Sequence, residues 1–126
     1  MSITERLVAG SSLTARQLDV LTTYLRVVSG EIKMKEAASL SSQGRTRGKR
    51  DKPLTTGSYS RTVRQARTNV RRSLLTVVLG LWLGVVRVED VRRLFELVGG
   101  GARELSDEEA TRFLQLLEAL LHRMVV

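Results

Sequence analysis

The chain has 126 residues, of which 42% are hydrophobic and 27% charged, a composition that fits one small globular domain. Twenty-one lysines and arginines against thirteen acidic residues give a formal net charge of +8, which favours an anionic partner such as a nucleic acid or an acidic membrane surface. Because the sequence contains no cysteine, disulfides, thiolate nucleophiles and cysteine-ligated metal centres are excluded.

Two helices are predicted in the first third of the chain. Apolar residues recur at helical spacing over residues 13–28, with Ser12 as the expected N-cap. The expected buried stripe of this helix is Leu18, Leu21, Leu25 and Val28, widened by Val20, Tyr24 and Val27. After a stop at Ser29-Gly30, residues 32–40 predict a short second helix. Its inward-facing residues are expected to be Met34, Ala37, Ala38 and Leu40.

Apolar periodicity disappears over residues 41–58, which contain Pro53, several small polar residues and five basic residues. This composition predicts a mobile basic loop or a small hairpin. A third, long helix is expected to begin near residues 58–60 and to continue to residue 86. In its first half the spacing predicts a narrow core stripe of Val63, Ala66, Val70 and Leu74.

The second half of this long helix, residues 74–86, is apolar on almost every side, so it must be enclosed by its own chain or by a second subunit. It is too short to cross a bilayer, which requires roughly 20 residues. Gly80 and Gly84 have the spacing that permits close approach of helices, either at a dimer contact or simply to relieve crowding near Trp82.

Two further helices are predicted towards the C-terminus. Residues 88–98 are amphipathic and begin with Glu89 and Asp90, which suit the positive end of a helix dipole, and glycines 99–101 end the helix. Ser106 and Glu109 predict a capping box for the last helix. Its core spacing is Phe113, Leu117, Leu120 and Met124, broadened by Leu114, Leu116 and Leu121. Because no alternating strand pattern is present, the predicted fold class is all-α, with the whole chain as one domain.

The positive charge is concentrated in one part of the sequence. Residues 43–72 hold ten basic side chains and a single acidic one, whereas the rest of the chain holds eleven basic and twelve acidic groups. A basic patch on an otherwise near-neutral helical protein favours binding to nucleic acid. The alternative interpretation is that this patch is only a solvated surface.

Three short motifs follow one another in the same region. Residues 13–21 read LTARQLDVL, residues 35–38 read KEAA, and Thr62-Val63 is followed by Asn69-Val70 and Leu74. This arrangement, over residues 13–74, resembles the helix-turn-helix of LuxR-type regulators, sigma factor region 4 and archaeal Tfx-like DNA-binding proteins. Those families join their second and third helices by a tight turn, so the loop of residues 41–58 would here be an inserted arm.

The resemblance implies DNA binding and transcriptional control, with the N-terminal half of the third helix in the major groove and the basic arm on phosphates or in the minor groove. Arginine pairs with guanine and glutamine with adenine, which suits the exposed face of that helix. The candidate base-contacting residues are Arg61, Arg64, Gln65 and Thr68. The candidate backbone-contacting residues are Arg45, Arg47, Lys49, Arg50, Lys52, Ser60, Arg67, Arg71 and Arg72.

Other functions remain open at this point. An arginine-rich loop also suits an RNA-binding or ribonucleoprotein-binding module, or a scaffold factor that docks on an acidic partner. No enzymatic role, metal or cofactor is expected, because the only histidine is His122 and the acidic residues 107–109 are explained as a helix cap. We expect a cytoplasmic, nucleoid-associated homodimer formed through residues 75–126, which would place two recognition helices about 34 Å apart.

Overall fold

The computed structural model describes residues 2–41, 54–99 and 103–126, and regular secondary structure in these residues is helical apart from one isolated bridge. The all-α prediction is therefore confirmed for this part of the chain. The helices are α1 (Ile3–Ala9), α2 (Ala15–Val28), α3 (Met34–Ser41), α4 (Thr56–Leu83), α5 (Glu89–Val98) and α6 (Asp107–Met124). They form two compact units, Met1–Ser73 and Leu74–Val126, and α4 contributes residues to both.

Capping boxes define the first two helices. The first helix, α1, was not expected from the sequence; the Ser2 hydroxyl accepts a hydrogen bond from the Glu5 backbone amide, and the Glu5 carboxylate accepts one from the Ser2 amide. Helix α2 begins later than residue 13, because Thr14 and Gln17 form the same reciprocal pair at its start. The prediction of Ser12 as N-cap was wrong, since its hydroxyl bonds to residues of α4.

The core of the first unit lies between α2, α3 and the start of α4. Its buried residues are Val20, Ile32, Ala37, Ala38, Tyr59, Val63 and Ala66. Met34 and Leu40 pack against this cluster, so the predicted inward face of the short helix is confirmed. On α2 the predicted stripe was partly right, because Val20 is buried and Leu21, Tyr24 and Val27 pack against the cluster. It was wrong for Leu25 and Val28, which are 67% and 65% exposed, and it missed the buried Thr23.

Buried hydroxyl groups join the three helices of this core. The Tyr59 and Thr23 side-chain oxygens are 2.7 Å apart, and the Thr23 and Ser41 oxygens are 2.8 Å apart. The Tyr59 hydroxyl lies 3.2 Å from the Val20 carbonyl oxygen, and Ser41 donates to the Ala37 carbonyl. Each of these three buried hydroxyl groups has a hydrogen-bond partner, so the cluster fixes α2, α3 and α4 in register.

Helix α4 begins at Thr56, where the Thr55 hydroxyl accepts from the Ser58 amide, rather than near residues 58–60. The predicted core stripe holds for Val63 and Ala66 but fails further on, since Val70 is 39% and Leu74 60% exposed. Beyond Ala66, polar side chains of α4 make the contact with the start of α2. The core therefore ends at Ala66, about two turns earlier than the predicted end at Leu74.

The second unit begins with the end of α4, which stops at Leu83 instead of residue 86. Gly84 has a φ of +82°, and the amides of Val85 and Val86 both donate to the Gly80 carbonyl. A Cβ on Gly80 would lie 2.6 Å from Cγ2 of Val86. Both glycines are thus required by the local turn, which removes the reason to assign them to a dimer contact.

Helices α5 and α6 are held together by a buried carboxylate. Asp90 is only 3% exposed, and its Oδ1 accepts hydrogen bonds from Arg93 at 3.1 Å and from Arg123 of α6 at 3.0 Å. The sequence predicted only that Asp90 complements the helix dipole. In the structure its carboxylate also joins α5 to α6. The backbone after α4 pairs with the C-terminal residues, because Arg87 donates to the Met124 carbonyl and Val126 to the Val85 carbonyl.

The ends of these helices follow the sequence closely. Ser106 and Glu109 form the predicted capping box of α6, and Gly99, with a φ of +75°, ends α5. Leu120 and Met124 of the predicted α6 stripe are buried, whereas Leu116 and Leu121 are exposed. Glycines 100 and 101 lie outside the described residues.

The prediction that residues 74–86 are enclosed is not met by a single chain. Leu75 is 66% and Trp82 85% exposed, and most of their apolar neighbours on α4 are also in water. Among the described residues, none of the helices combines the length and the hydropathy needed to cross a membrane.

Candidate nucleic-acid interface

The first half of α4 has a buried side and a cationic side. Tyr59, Val63 and Ala66 face the core, so the helical period of 3.6 residues places positions 61, 64, 65 and 68 on the opposite side. Arg61, Arg64 and Gln65 are exposed there, and Thr68 is half-buried. All four sequence-predicted base-contacting residues therefore share one face, which has no acidic residue from residue 56 to residue 73.

A shallow, open depression of about 380 Å³ lies along this face. It is lined by Gln17, Arg64, Gln65, Thr68, Asn69 and Arg72. Guanidinium, amide and hydroxyl groups thus converge on one surface, and these are the groups that hydrogen-bond base edges and phosphate oxygens. Gln17 comes from α2, so the depression depends on how α2 and α4 pack.

Asn69 holds α4 against the start of α2. Its Nδ2 donates to the Ser12 carbonyl at 2.7 Å and to Oε1 of Gln17 at 3.0 Å, while its Oδ1 accepts from the Ser12 hydroxyl at 2.9 Å. The Ser12 and Ser73 hydroxyl oxygens are a further 2.9 Å apart. Because Gln17 also caps α2, one continuous network connects the cap of α2 to the cationic helix.

The candidate backbone-contacting residues on α4 flank this face. Arg67 places its guanidinium 5.9 Å from the ring centre of Tyr24, a cation–π contact that leaves the side chain exposed. Arg71 donates to the Thr68 hydroxyl at 3.3 Å and Arg72 lines the depression, both exposed, whereas Ser60 is half-buried. Arg45, Arg47, Lys49, Arg50 and Lys52 lie outside the described residues.

The two compact units differ strongly in charge. The first, residues 1–73, contains fifteen basic and five acidic side chains, a net charge of +10. The second, residues 74–126, contains six basic and eight acidic ones, a net charge of −2. The cationic face of α4 therefore lies in a unit whose overall field attracts polyanions.

The remaining candidates for chemistry have local roles. His122 is exposed in the last turn of α6, as expected for a helix-terminal histidine. Glu109 accepts hydrogen bonds from Ser106, and these bonds lower the pKa of its carboxyl below its ordinary value. Across the three described segments, no group of histidine or acidic residues has the arrangement of a metal site.

Comparison of the chain with protein-family models, with curated proteins and with solved structures finds no match. The residues that sequence reasoning missed are those that position the face, namely Asn69, Gln17 and Tyr24. The sequence did contain a signal for Gln17, because Thr14 and Gln17 have capping-box spacing. No local signal identifies the Asn69 contact, which joins residues 57 positions apart.

Proposed function

We propose that the chain is a helix-turn-helix protein that binds double-stranded DNA and regulates transcription. In this proposal α3 braces the DNA backbone, and the first half of α4 reads the major groove. The observation that carries it is the exposed face of Arg61, Arg64, Gln65 and Thr68, which lies opposite a buried core and contains no carboxylate.

The roles follow from the chemistry of these side chains. Arg61 and Arg64 have planar guanidinium groups that pair with guanine O6 and N7, and Gln65 has the amide that pairs with adenine N6 and N7. Thr68 suits either base or a thymine methyl group. The flanking arginines 67, 71 and 72 would contact phosphates, which fixes the register on the duplex without reading its sequence.

The test begins with selection of tight-binding duplexes from a random pool by the full chain, followed by fluorescence anisotropy on a selected and a scrambled duplex. Each lost bidentate contact removes about 1–3 kcal/mol of discrimination. We expect the triple variant Arg61→Ala, Arg64→Ala, Gln65→Ala to bind both duplexes with nearly equal affinity. Circular dichroism at 222 nm checks that the variant is folded.

The matched control removes two exposed arginines from the near-neutral unit, Arg92→Ala and Arg112→Ala, and should keep the preference for the selected duplex. Hairpin RNA and single-stranded DNA are titrated in parallel at two salt concentrations. Weak, equal, salt-abolished binding to all three nucleic acids would contradict the proposal. Tighter binding to hairpin RNA would favour the RNA-binding alternative instead.

A further inference from the structure

We propose that the second unit, residues 74–126, is half of a helical homodimer whose central contact is a stripe of Leu75, Val78, Leu79 and Trp82 on α4. These four residues form the α4 stripe. The inference does not depend on DNA binding, because it rests on the apolar surface of the second unit alone.

The second unit has too small a core for its size. Of the nine buried apolar residues in the described parts of the chain, only Leu120 and Met124 belong to it. Conversely, fifteen of the nineteen large apolar residues exposed in those parts lie in this unit. Since apolar burial is the main term that offsets the entropy of folding, a unit with this distribution needs a further surface to cover it.

The exposed residues of α4 have the spacing of a helix-packing seam. Positions 75, 78, 79 and 82 follow the i, i+3, i+4, i+7 pattern, which places them on one side of the helix. Leu75 is 66% exposed and Trp82 85% exposed, and Val78 and Leu79 are also more than half exposed. Such a stripe is the surface that one helix presents to another in a bundle or coiled coil.

The occupant that fits best is a second copy of the same chain. No charged residue occurs from residue 74 to residue 86, and the second unit has nearly balanced charge, so two copies meet there without electrostatic repulsion. A twofold axis would pair each stripe with its own copy, which requires a self-complementary surface, and an uncharged apolar stripe meets this requirement.

The exposed apolar area is also sufficient. Fifteen large side chains, on average a little over half exposed, expose on the order of 800 Å² if a full side chain contributes roughly 60–120 Å². A stable interface buries about 800 Å² from each partner. The second unit as a whole therefore exposes about as much apolar side-chain area as one partner of a stable dimer buries, and the α4 stripe is the part of it that lies on one side of a single helix.

The first test measures mass by sedimentation equilibrium over about 1–100 μM of the full chain. We expect a dimer for the unmodified chain and an apparent Tm that rises with concentration. The variant Leu75→Glu, Trp82→Glu places like charges across the seam and should weaken association by about 100-fold. The matched control is Leu25→Glu, because Leu25 is as exposed as Leu75 and belongs to the first unit.

A second test does not require disruptive variants. Because the chain has no cysteine, single substitutions Leu75→Cys, Val78→Cys, Leu79→Cys and Trp82→Cys can be oxidised with glutathione without background disulfides. At least one position near the twofold axis should form a cross-linked dimer in high yield. Leu25→Cys should remain a monomer on a denaturing gel.

Three results would overturn the proposal. The first is a monomer for the unmodified chain at 100 μM. The second is a dimer whose affinity is unchanged by Leu75→Glu, Trp82→Glu while that variant retains its helical circular dichroism. The third is a chain that stays monomeric in buffer but floats with phosphatidylglycerol vesicles, which would show that a lipid surface, and not a second copy, covers the stripe.

Discussion

At the scale of single residues, Tyr59 contributes to the first unit in two ways. It is fully buried, it joins the apolar core, and its hydroxyl bonds with Thr23 of α2. Burial raises the pKa of the Tyr59 hydroxyl above its ordinary value of 10.0, while the hydrogen bond with Thr23 acts in the opposite direction. The native state therefore holds this proton more tightly than the unfolded chain does.

We expect Tyr59→Phe to lower the free energy of unfolding by about 1–2 kcal/mol, because it removes a buried hydrogen bond and leaves a partner less well satisfied. Urea unfolding at pH 7 measures the effect. Tyr24→Phe is the matched control, since it removes a hydroxyl from a half-buried tyrosine that is not a member of the Thr23, Ser41 and Tyr59 cluster. An equal loss of unfolding free energy in both variants would show that the buried Tyr59 hydroxyl contributes no more to stability than the Tyr24 hydroxyl does.

The same residue predicts a dependence on alkaline pH. Above about pH 10 the unfolded tyrosine loses its proton while the folded one retains it, so stability falls as pH rises. The contribution of Tyr59 is complete below pH 10 and is lost as pH rises through the raised pKa of the folded state. The difference in stability between the unmodified chain and Tyr59→Phe should therefore narrow above pH 10.

At the scale of elements, the docking of α4 on α2 determines the geometry of the cationic face. Beyond Ala66 this contact includes the cation–π interaction of Arg67 with Tyr24. It also includes hydrogen bonds of Asn69 with Ser12 and Gln17. Asn69 therefore acts as a positioning residue. It fixes which part of α4 lies beside the N-terminal end of α2, and with it the shape of the depression.

We expect Asn69→Ala to lower the free energy of unfolding by about 1–2 kcal/mol, since three hydrogen bonds in a half-buried site are lost. Gln65→Ala, an exposed change nearby on the same helix, should alter it by less than about 0.5 kcal/mol. A double-mutant cycle of Asn69→Ala with Ser12→Ala should give a coupling energy of about 0.5–1 kcal/mol. If the losses of unfolding free energy in the two single variants simply add in the double variant, the side chains of Asn69 and Ser12 have no interaction energy.

The caps of α2 and α6 show which helix ends can be predicted from residues close together in the sequence. Ser106 and Glu109 were predicted to cap α6 and do so, because a capping box depends only on residues three positions apart. The same signature at Thr14 and Gln17 was overlooked in favour of Ser12, whose hydroxyl instead bonds to Asn69. Ser12 and Thr14 are both suitable N-cap residues for α2. The hydrogen bond of Ser12 with Asn69 leaves Thr14 as the cap.

At the scale of the whole molecule, the separation of charge is the dominant feature. One unit has a net charge of +10 and the other −2, and five of the basic residues of the first belong to the predicted arm of residues 45–52. Under the proposed function, the arm adds phosphate contacts, whereas the face of α4 selects sequence.

We expect replacement of Arg45, Arg47, Lys49, Arg50 and Lys52 by serine to weaken binding to all duplexes by a similar factor and to leave the selected-to-scrambled ratio unchanged. If about six groups contact phosphates, the unmodified chain should show a slope near −5 for log affinity against log salt. The arm variant should have a shallower slope. If the arm variant changes the selected-to-scrambled affinity ratio but keeps the salt slope of the unmodified chain, the arm contacts bases and not phosphates.

The sequence by itself determined the helical class, the approximate bounds of five helices, the capping of α6 and the grouping of Arg61, Arg64, Gln65 and Thr68 on one face. These features depend on spacing within one helix or on residues a few positions apart. It also identified residues 74–86 as a surface in need of a cover, because an uncharged run of that length is unfavourable in water.

Only the tertiary structure decided that Leu25 and Val28 of α2 are exposed and where the α4 core stripe ends. It also decided that Asp90 joins α5 to α6 and that Asn69 joins α4 to the start of α2. These outcomes depend on contacts between residues far apart in the sequence, which a one-dimensional pattern does not encode. Gly80 is a further example. Its spacing to Gly84 predicted a contact between helices, whereas in the structure the side chain of Val86 occupies the space that a Cβ on Gly80 would need.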